Sequence, residues 1–121
     1  MTLTVLAVDD SATMRDILRL TLSEAGFDVH LAEDGQHGLE VVSDLDPDII
    51  ITDINMPRLD GFGFVEAVRA RPELRGVPIL VLTTESGAAL KKRARDAGAT
   101  GWIVKPFEEA KLIQTVRRVA A

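Results

Sequence analysis

The run Ile49-Ile50-Ile51-Thr52, closed by Asp53, limits the fold of this chain more than any other stretch. Four consecutive apolar or β-branched residues leave no side for water, so a half-exposed strand is excluded. The run is also too short for a buried helix. It is bounded by the turn Asp46-Pro47-Asp48 and by a loop with Asn55, Pro57 and Gly61. It therefore predicts a central strand of a parallel sheet, covered on both faces. Sheets of that kind carry their ligands beyond the carboxyl ends of the strands, and Asp53 stands at such an end. An aspartate there can also do no more than cap a turn. This stretch alone leaves both roles open.

The rest of the chain supplies the helices such a sheet needs. Leu3–Val8 reads as a strand ending in Asp9-Asp10, and Ser11 is placed to cap the next helix. Met14, Ile17, Leu18, Thr21, Leu22 and Ala25 fall on one helical face, and Gly26 suits a left-handed end. A short strand at Val29–Leu31 precedes Glu33-Asp34-Gly35 and a helix carrying Leu39 and Val42. Beyond the central strand, Phe64, Val65 and Val68 mark a third helix, its start blurred by Gly61 and Gly63 and its end set before Pro72. Val77–Leu82 is a fourth strand with Pro78 at its opening, followed by Thr83-Thr84-Glu85-Ser86. A helix from Ala88 shows only Leu90, Ala94 and Ala97 as its apolar stripe, so it is expected to pack least firmly. Gly101–Val104 ends in Lys105-Pro106, and Glu108–Val119 turns Leu112, Ile113, Val116 and Val119 inward.

Five strand–helix units predict a doubly wound α/β fold with a five-stranded, all-parallel sheet and helices on both faces. The 121 residues suit one domain, with no linker or internal repeat. No apolar run approaches the roughly 20 residues that span a bilayer, and the N-terminus lacks the basic flank and cleavage site of a signal peptide. There is no cysteine, hence no disulfide or thiolate metal site. A cytoplasmic location follows by default, with no membrane partner.

Charge is unevenly spread. Residues 1–60 hold 13 acidic and 3 basic side chains, and residues 61–121 hold 6 acidic and 11 basic, within a net charge of −5. The acidic half argues against nucleic acid and suits a metal cation. The basic half is either a docking face for an acidic partner or a solvated surface.

The strand ends bring together Asp9, Asp10, Asp53, Thr83 and Lys105. No Gly-x-Gly-x-x-Gly follows the first strand, which disfavours a dinucleotide, and no glycine-rich phosphate loop is present. Three convergent carboxylates repel one another by up to about 4 kcal/mol per pair at roughly 4 Å and an effective dielectric of about 20. Lys105 offsets part of that, and a hard divalent cation such as Mg²⁺ offsets the rest. A cation and an ammonium also suit the charge of a transferring phosphoryl group, with Thr83 as a hydroxyl donor and an aspartate as nucleophile.

Taken together, Val8-Asp9-Asp10, Asp53-Ile-Asn-Met-Pro57-x-x-Asp60-Gly61, Thr83-Thr84-Glu85 and Lys105-Pro106-Phe107 resemble the blocks of bacterial response-regulator receiver domains, in order and spacing. The likeness covers essentially the whole chain. Within that family it is nearest the single-domain chemotaxis regulators of the CheY type, notably in Ser11-Ala-Thr-Met-Arg15 and Ala97-Gly-Ala-Thr-Gly101.

The resemblance implies a flavodoxin-like strand order 2-1-3-4-5 and phosphorylation of Asp53 by a histidine kinase (CheA-like). It implies Mg²⁺ held by Asp10, Asp53 and the Asn55 carbonyl, with Asp9 acting indirectly. Lys105 would pair with the phosphoryl group, Thr83 would move to bond it, and Lys105–Pro106 would be cis. Asn55 and Glu85 match positions that tune autodephosphorylation, or are plain exposed loop residues. Three residues depart from the pattern. Trp102 replaces the Tyr or Phe that swings with Thr83, Ile54 stands where the enterobacterial chemotaxis regulator has Trp, and Thr84 replaces a small residue.

The implied protein is a monomer that assists its own phosphoryl transfer and dephosphorylation but turns over no external substrate. Its output would be binding to a flagellar motor switch protein (FliM-like), since no output domain follows Ala121, with a phosphatase as a possible further partner. Lys91, Lys92, Lys111, Arg117 and Arg118 would line the output face around Trp102. The alternative is a phosphate sink or phosphorelay intermediate without motor output. A haloacid-dehalogenase-like phosphatase also uses an aspartyl nucleophile, but that family wants an Asp at position 55, which is Asn.

Overall fold

Val8 and Thr52 sit side by side in register, and this pairing decides where the acidic residues meet. The computed structural model describes residues 2–120. Strands β1 (Thr4–Val8), β2 (Asp28–Ala32), β3 (Ile49–Thr52), β4 (Ile79–Thr83) and β5 (Gly101–Val104) form one parallel sheet in the order β2-β1-β3-β4-β5. The chain leaves β1 in one direction and returns to build β3 on its other side. The edge between them is the crevice where folds of this class bind ligands.

Helices α1 (Ala12–Glu24) and α5 (Glu109–Ala120) cover one face; α2 (Gly35–Ser43), α3 (Gly61–Arg69) and α4 (Ala88–Ala97) cover the other. The strands bury alternate residues on each side. Val5, Ala7, Ile49, Ile51, Leu80 and Leu82 pack against Leu18 and Leu22 of α1 and Leu112 and Val116 of α5. Leu6, Val8, Ile50 and Ile79 meet Val42 of α2 and Phe64, Val65 and Val68 of α3. Burying each large side chain contributes about 1.5–3 kcal/mol. Helix α4 brings in only Ala94 fully buried, with Leu90 partly covered, in a small third cluster with Ile54, Phe62, Val81 and Trp102. The thin stripe on α4 thus corresponds to thin packing.

Local signals account for the helix ends. The Ser11 hydroxyl accepts from the Met14 N–H at 3.2 Å, and the Asp60 carboxylate from the Gly63 N–H at 2.8 Å. Gly61 opens α3 because a Cβ there would lie 2.2 Å from the Asp53 carbonyl oxygen. Gly26, at φ +97, ends α1 with its N–H on Ser23 and the Phe27 N–H on Leu22.

Some expectations need correction. Ile17 is 38% exposed, because Met14, Leu18, Thr21, Leu22 and Ala25 fill the inward stripe of α1 and Ile17 falls on its flank. β4 opens at Ile79 rather than Val77: the Pro78 carbonyl accepts from Ile50, but the Val77 carbonyl is taken by the Arg69 guanidinium at 2.6 Å. β1 starts at Thr4, β2 runs one residue further at each end than Val29–Leu31, and α5 begins at Glu109. A short 3-10 helix at Pro72–Leu74 follows α3. The Lys105–Pro106 bond is cis, as the resemblance implies.

Candidate functional site

Lys105 follows β5, and its ammonium lies between two carboxylates. Nζ donates to Asp9 Oδ2 at 2.6 Å and to Asp53 Oδ2 at 3.0 Å. The remaining oxygens are also engaged: Asp9 Oδ1 accepts from the Ser11 N–H at 2.9 Å and Asp53 Oδ1 from the Ile54 N–H at 2.7 Å. The backbone sets the arrangement, since the Asp53 N–H donates to the Val8 carbonyl and the Lys105 N–H to the Thr83 carbonyl. Asp10 is exposed, yet one carboxylate oxygen each of Asp9, Asp10 and Asp53 lies within 4.8 Å of the others.

Asp9 is almost fully buried, and burial raises its carboxyl above the ordinary carboxylate value against the pull of Lys105 and the Ser11 N–H. Burial alone would lower the Lys105 ammonium. Hydrogen bonds and charge from Asp9 and Asp53 outweigh it and hold the group above the ordinary lysine value. Three carboxylates around one ammonium leave an excess of negative charge and a donor set of hard oxygens. That is what a divalent cation requires.

Thr83, at the end of β4, is completely buried, and its hydroxyl accepts from the Glu85 N–H at 3.4 Å. Glu85 also reaches the other expected residues: its carboxylate accepts from Asn55 Nδ2 at 3.3 Å and its carbonyl from Trp102 Nε1 at 3.1 Å. One loop residue therefore touches the acceptor loop, the Thr83 hydroxyl and the indole. Trp102 pairs with Val81 in the sheet and is partly buried against the cluster of Ile54, Phe62, Val81 and Ala94. Ile54 turns away from solvent and packs with Phe62 and Val81, 4% exposed, whereas Thr84 is exposed.

The expected basic face is only partly free. Lys91 and Arg118 are exposed, but Lys92 pairs with Asp96 at 2.7 Å, and Lys111 lies 3.8 Å from Glu108. Arg117 is turned toward α1, donating to the Ala25 carbonyl at 3.0 Å with its guanidinium over the Phe27 ring. It is removed from the output face, because the α1–α5 contact offers it an acceptor and an aromatic face.

Three arginines carry contacts that sequence patterns did not show. Arg15 donates to the Asp9 carbonyl at 2.7 Å. Arg58 forms a two-point pair with Asp34 at 2.8 and 3.1 Å. Arg69 donates to the carbonyls of Gly98, Leu74, Arg75 and Val77 at 2.6–3.1 Å. Their acceptors are mostly backbone oxygens, which leave no trace in side-chain patterning.

A model of the response regulator receiver domain matches residues 5–117. The chain is a response-regulator receiver domain. The receiver is 35% identical to the probable chemotaxis protein CheY of Rhizobium etli, over 95% of this chain and 90% of that protein. It is 42% identical to the chemotaxis protein CheY1 of Helicobacter pylori, over 85% of each. Among solved structures, the chemotaxis protein CheY4 of Vibrio cholerae superposes with a TM-score of 0.95 at 44% identity, over 98% of the receiver and 99% of that chain. The receiver domain of a sensor histidine kinase from Pseudomonas aeruginosa, solved with a magnesium ion coordinated in its active-site cleft, gives a TM-score of 0.91 at 27% identity, over 99% and 98% of the two chains. The fold and strand order are those of the chemotaxis structure.

Proposed function

We propose that this receiver takes a phosphoryl group on Asp53 from the phosphohistidine of a kinase and passes the signal on by binding another protein. The observation that carries the proposal is the Lys105 ammonium shared between Asp9 and Asp53, 2.6 and 3.0 Å away. A carboxylate oxygen of Asp53 attacks phosphorus as the P–N bond breaks, and the electron pair returns to the imidazole nitrogen, which is left to take up a proton. Lys105 then follows the charge from the carboxylate to the new phosphoryl oxygens. Thr83, one strand away and already bonded to the Glu85 N–H, turns its hydroxyl to the same oxygens. Asn55 and Glu85, joined to each other by a 3.3 Å hydrogen bond beside the acceptor, would tune the later hydrolysis of the acyl phosphate.

Asp10, Asp53 and the Asn55 carbonyl would hold Mg²⁺, with Asp9 acting through Lys105 and solvent. When bound, the ion neutralises charge on the phosphoryl oxygens. The chemotaxis names of the relatives favour the flagellar motor switch as target and a chemotaxis kinase as donor. A role as phosphate sink keeps the same chemistry and drops the motor.

The test is labelling with a small-molecule phosphodonor and Mg²⁺, followed by peptide mapping. One acid-stable, alkali-labile group on Asp53 is the expected outcome. Undiminished labelling of Asp53→Asn, on a residue that the wild-type protein also labels, would overturn the assignment; label that moves to Asp10 only in the variant marks a secondary acceptor. Pull-downs with and without a phosphoryl mimic separate motor output from a sink: only the former captures motor-switch protein in the mimic-bound state.

A further inference from the structure

Arg58 is the one non-glycine residue with positive φ, +64, among the described residues. In that conformation Cβ crowds the following carbonyl, so an arginine stays there only where its surroundings over-determine it. The surroundings are a tight turn, closed by the Leu59 N–H on the Pro57 carbonyl at 2.7 Å, and an ion pair on a rigid support. Nε donates to Asp34 Oδ2 at 2.8 Å and Nη2 to Oδ1 at 3.1 Å, the planar fork that suits a guanidinium and a carboxylate. Asp34 is 3% exposed and at the same time caps α2, accepting from the His37 N–H at 2.8 Å. The pairing pulls the Asp34 carboxyl below the ordinary carboxylate value.

The next residue is held as well. The Leu59 carbonyl accepts from the Gly35 N–H at 3.1 Å, and a Cβ at position 35 would lie 2.4 Å from that oxygen. The near end of the same loop is closed by the Gly61 N–H on the Ile54 carbonyl at 2.8 Å. Between these fixed points lie only Asn55, Met56 and Pro57. The Asn55 side chain makes one hydrogen bond among the described residues, 3.3 Å to Glu85, so the place of its backbone is set mainly by the loop's ends and by the turn at Pro57–Leu59.

We propose that the Arg58–Asp34 pair is a positioning clamp: it anchors the acceptor loop to the start of α2 and so presents the Asn55 carbonyl to the cation. Arg58 then sets the Mg²⁺ affinity of a site it does not touch. This rests on the magnesium site proposed above. Groups that only orient ligands in this way typically change metal affinity by about 10–100-fold when removed. The effect here belongs at the lower end, because one neutral carbonyl is involved and two carboxylates remain.

The experiment is Mg²⁺ titration by calorimetry of the wild-type protein, Arg58→Ala, Arg58→Gly and Arg58→Lys, each first shown to be folded by circular dichroism. Arg58→Ala is expected to bind about tenfold more weakly. The half-saturation of phosphorylation should move to higher Mg²⁺ by the same factor while its ceiling is kept. Arg58→Lys, which retains charge without the fork, should fall between. Arg58→Gly removes the pair and the backbone strain together, and should bind as weakly as Arg58→Ala. Wild-type affinity in Arg58→Gly, or in Arg58→Ala, would overturn the clamp and leave the metal site standing. A wild-type protein that takes up no Mg²⁺ would overturn both. Should Arg58→Ala not fold, Asp34→Asn, which keeps an oxygen to cap α2, carries the same expectation through Arg58→Lys as the folded reference.

Discussion

Lys105 decides the balance of charge in the site, since its side chain is 9% exposed and the Asp9 side chain only 2%. Removing the ammonium in Lys105→Met leaves Asp9 buried beside Asp53 with no cation. A broken buried pair of this kind costs about 3 kcal/mol, read as a lower midpoint in urea, and Mg²⁺ should restore part of the loss. The pH dependence has a definite sign. Lys105 is held above the ordinary lysine value of 10.5, so its contribution is complete below that pH and is lost as pH rises through the higher folded value. Asp34 is lowered from 3.8, so its contribution is present above that pH and is lost as pH falls toward the folded value. Asp9 is raised from 3.8, so just above that pH its protonation favours the folded state, and its ionisation takes stability away as pH rises through the folded value. In urea titrations across pH, the alkaline loss should vanish in Lys105→Met and the acidic loss should shrink in Arg58→Ala. An unchanged alkaline limb in Lys105→Met would remove this account of Lys105.

At the scale of elements, α4 is secured at one end and loose at the other. Its C-terminal end is closed by Gly98 in the left-handed region, with the Arg69 guanidinium on the Gly98 carbonyl at 2.9 Å. Its N-terminal end begins at Gly87 with no side-chain cap. Just before it lies Glu85, which bonds the Trp102 indole and the Thr83 hydroxyl. A change at Thr83 should therefore reach the free end of α4 and the indole together. Trp102 is the sole tryptophan, so its emission should shift when a beryllofluoride mimic is added with Mg²⁺, and Asp53→Ala should abolish the shift. Constant emission with bound mimic would make the indole a static packing residue. Arg69→Ala frees four carbonyls from one guanidinium, and since unsatisfied groups cost about 1–3 kcal/mol, a loss in that range by urea denaturation is expected.

With the proposed Mg²⁺ bound, the acidic edge would couple folding of the whole molecule to the cation. At tenfold over its dissociation constant, Mg²⁺ should add about 1.4 kcal/mol, or roughly 3–6 °C in Tm for a domain of this size. Asp10→Asn should raise the metal-free Tm by relieving repulsion and should lose most of the Mg²⁺-induced increment. Equal Mg²⁺ shifts in the two proteins would place the ion elsewhere. Of the basic residues in 61–121, Lys105 belongs to that edge, while most of the others are exposed on α4 and α5. An acidic partner docking there should associate more slowly as salt rises.

The strand–helix alternation, the two covered sheet faces and the meeting of Asp9, Asp53, Thr83 and Lys105 were legible in the sequence. Strand ends follow from hydrophobic runs, and a parallel sheet sends all of its carboxyl ends to one edge. The weak packing of α4 was legible for the same reason, as a count of apolar positions. What only the tertiary structure decided lies in contacts between side chains and distant backbone. Arg69 reaches four carbonyls, Arg117 turns to α1, and the Val77 carbonyl is drawn out of β4. The left-handed Arg58 and its grip on Asp34, 24 positions earlier, belong to the same class. Every residue carries a carbonyl, so a sequence cannot say which one a guanidinium will find. Only the packed chain brings the two within 3 Å.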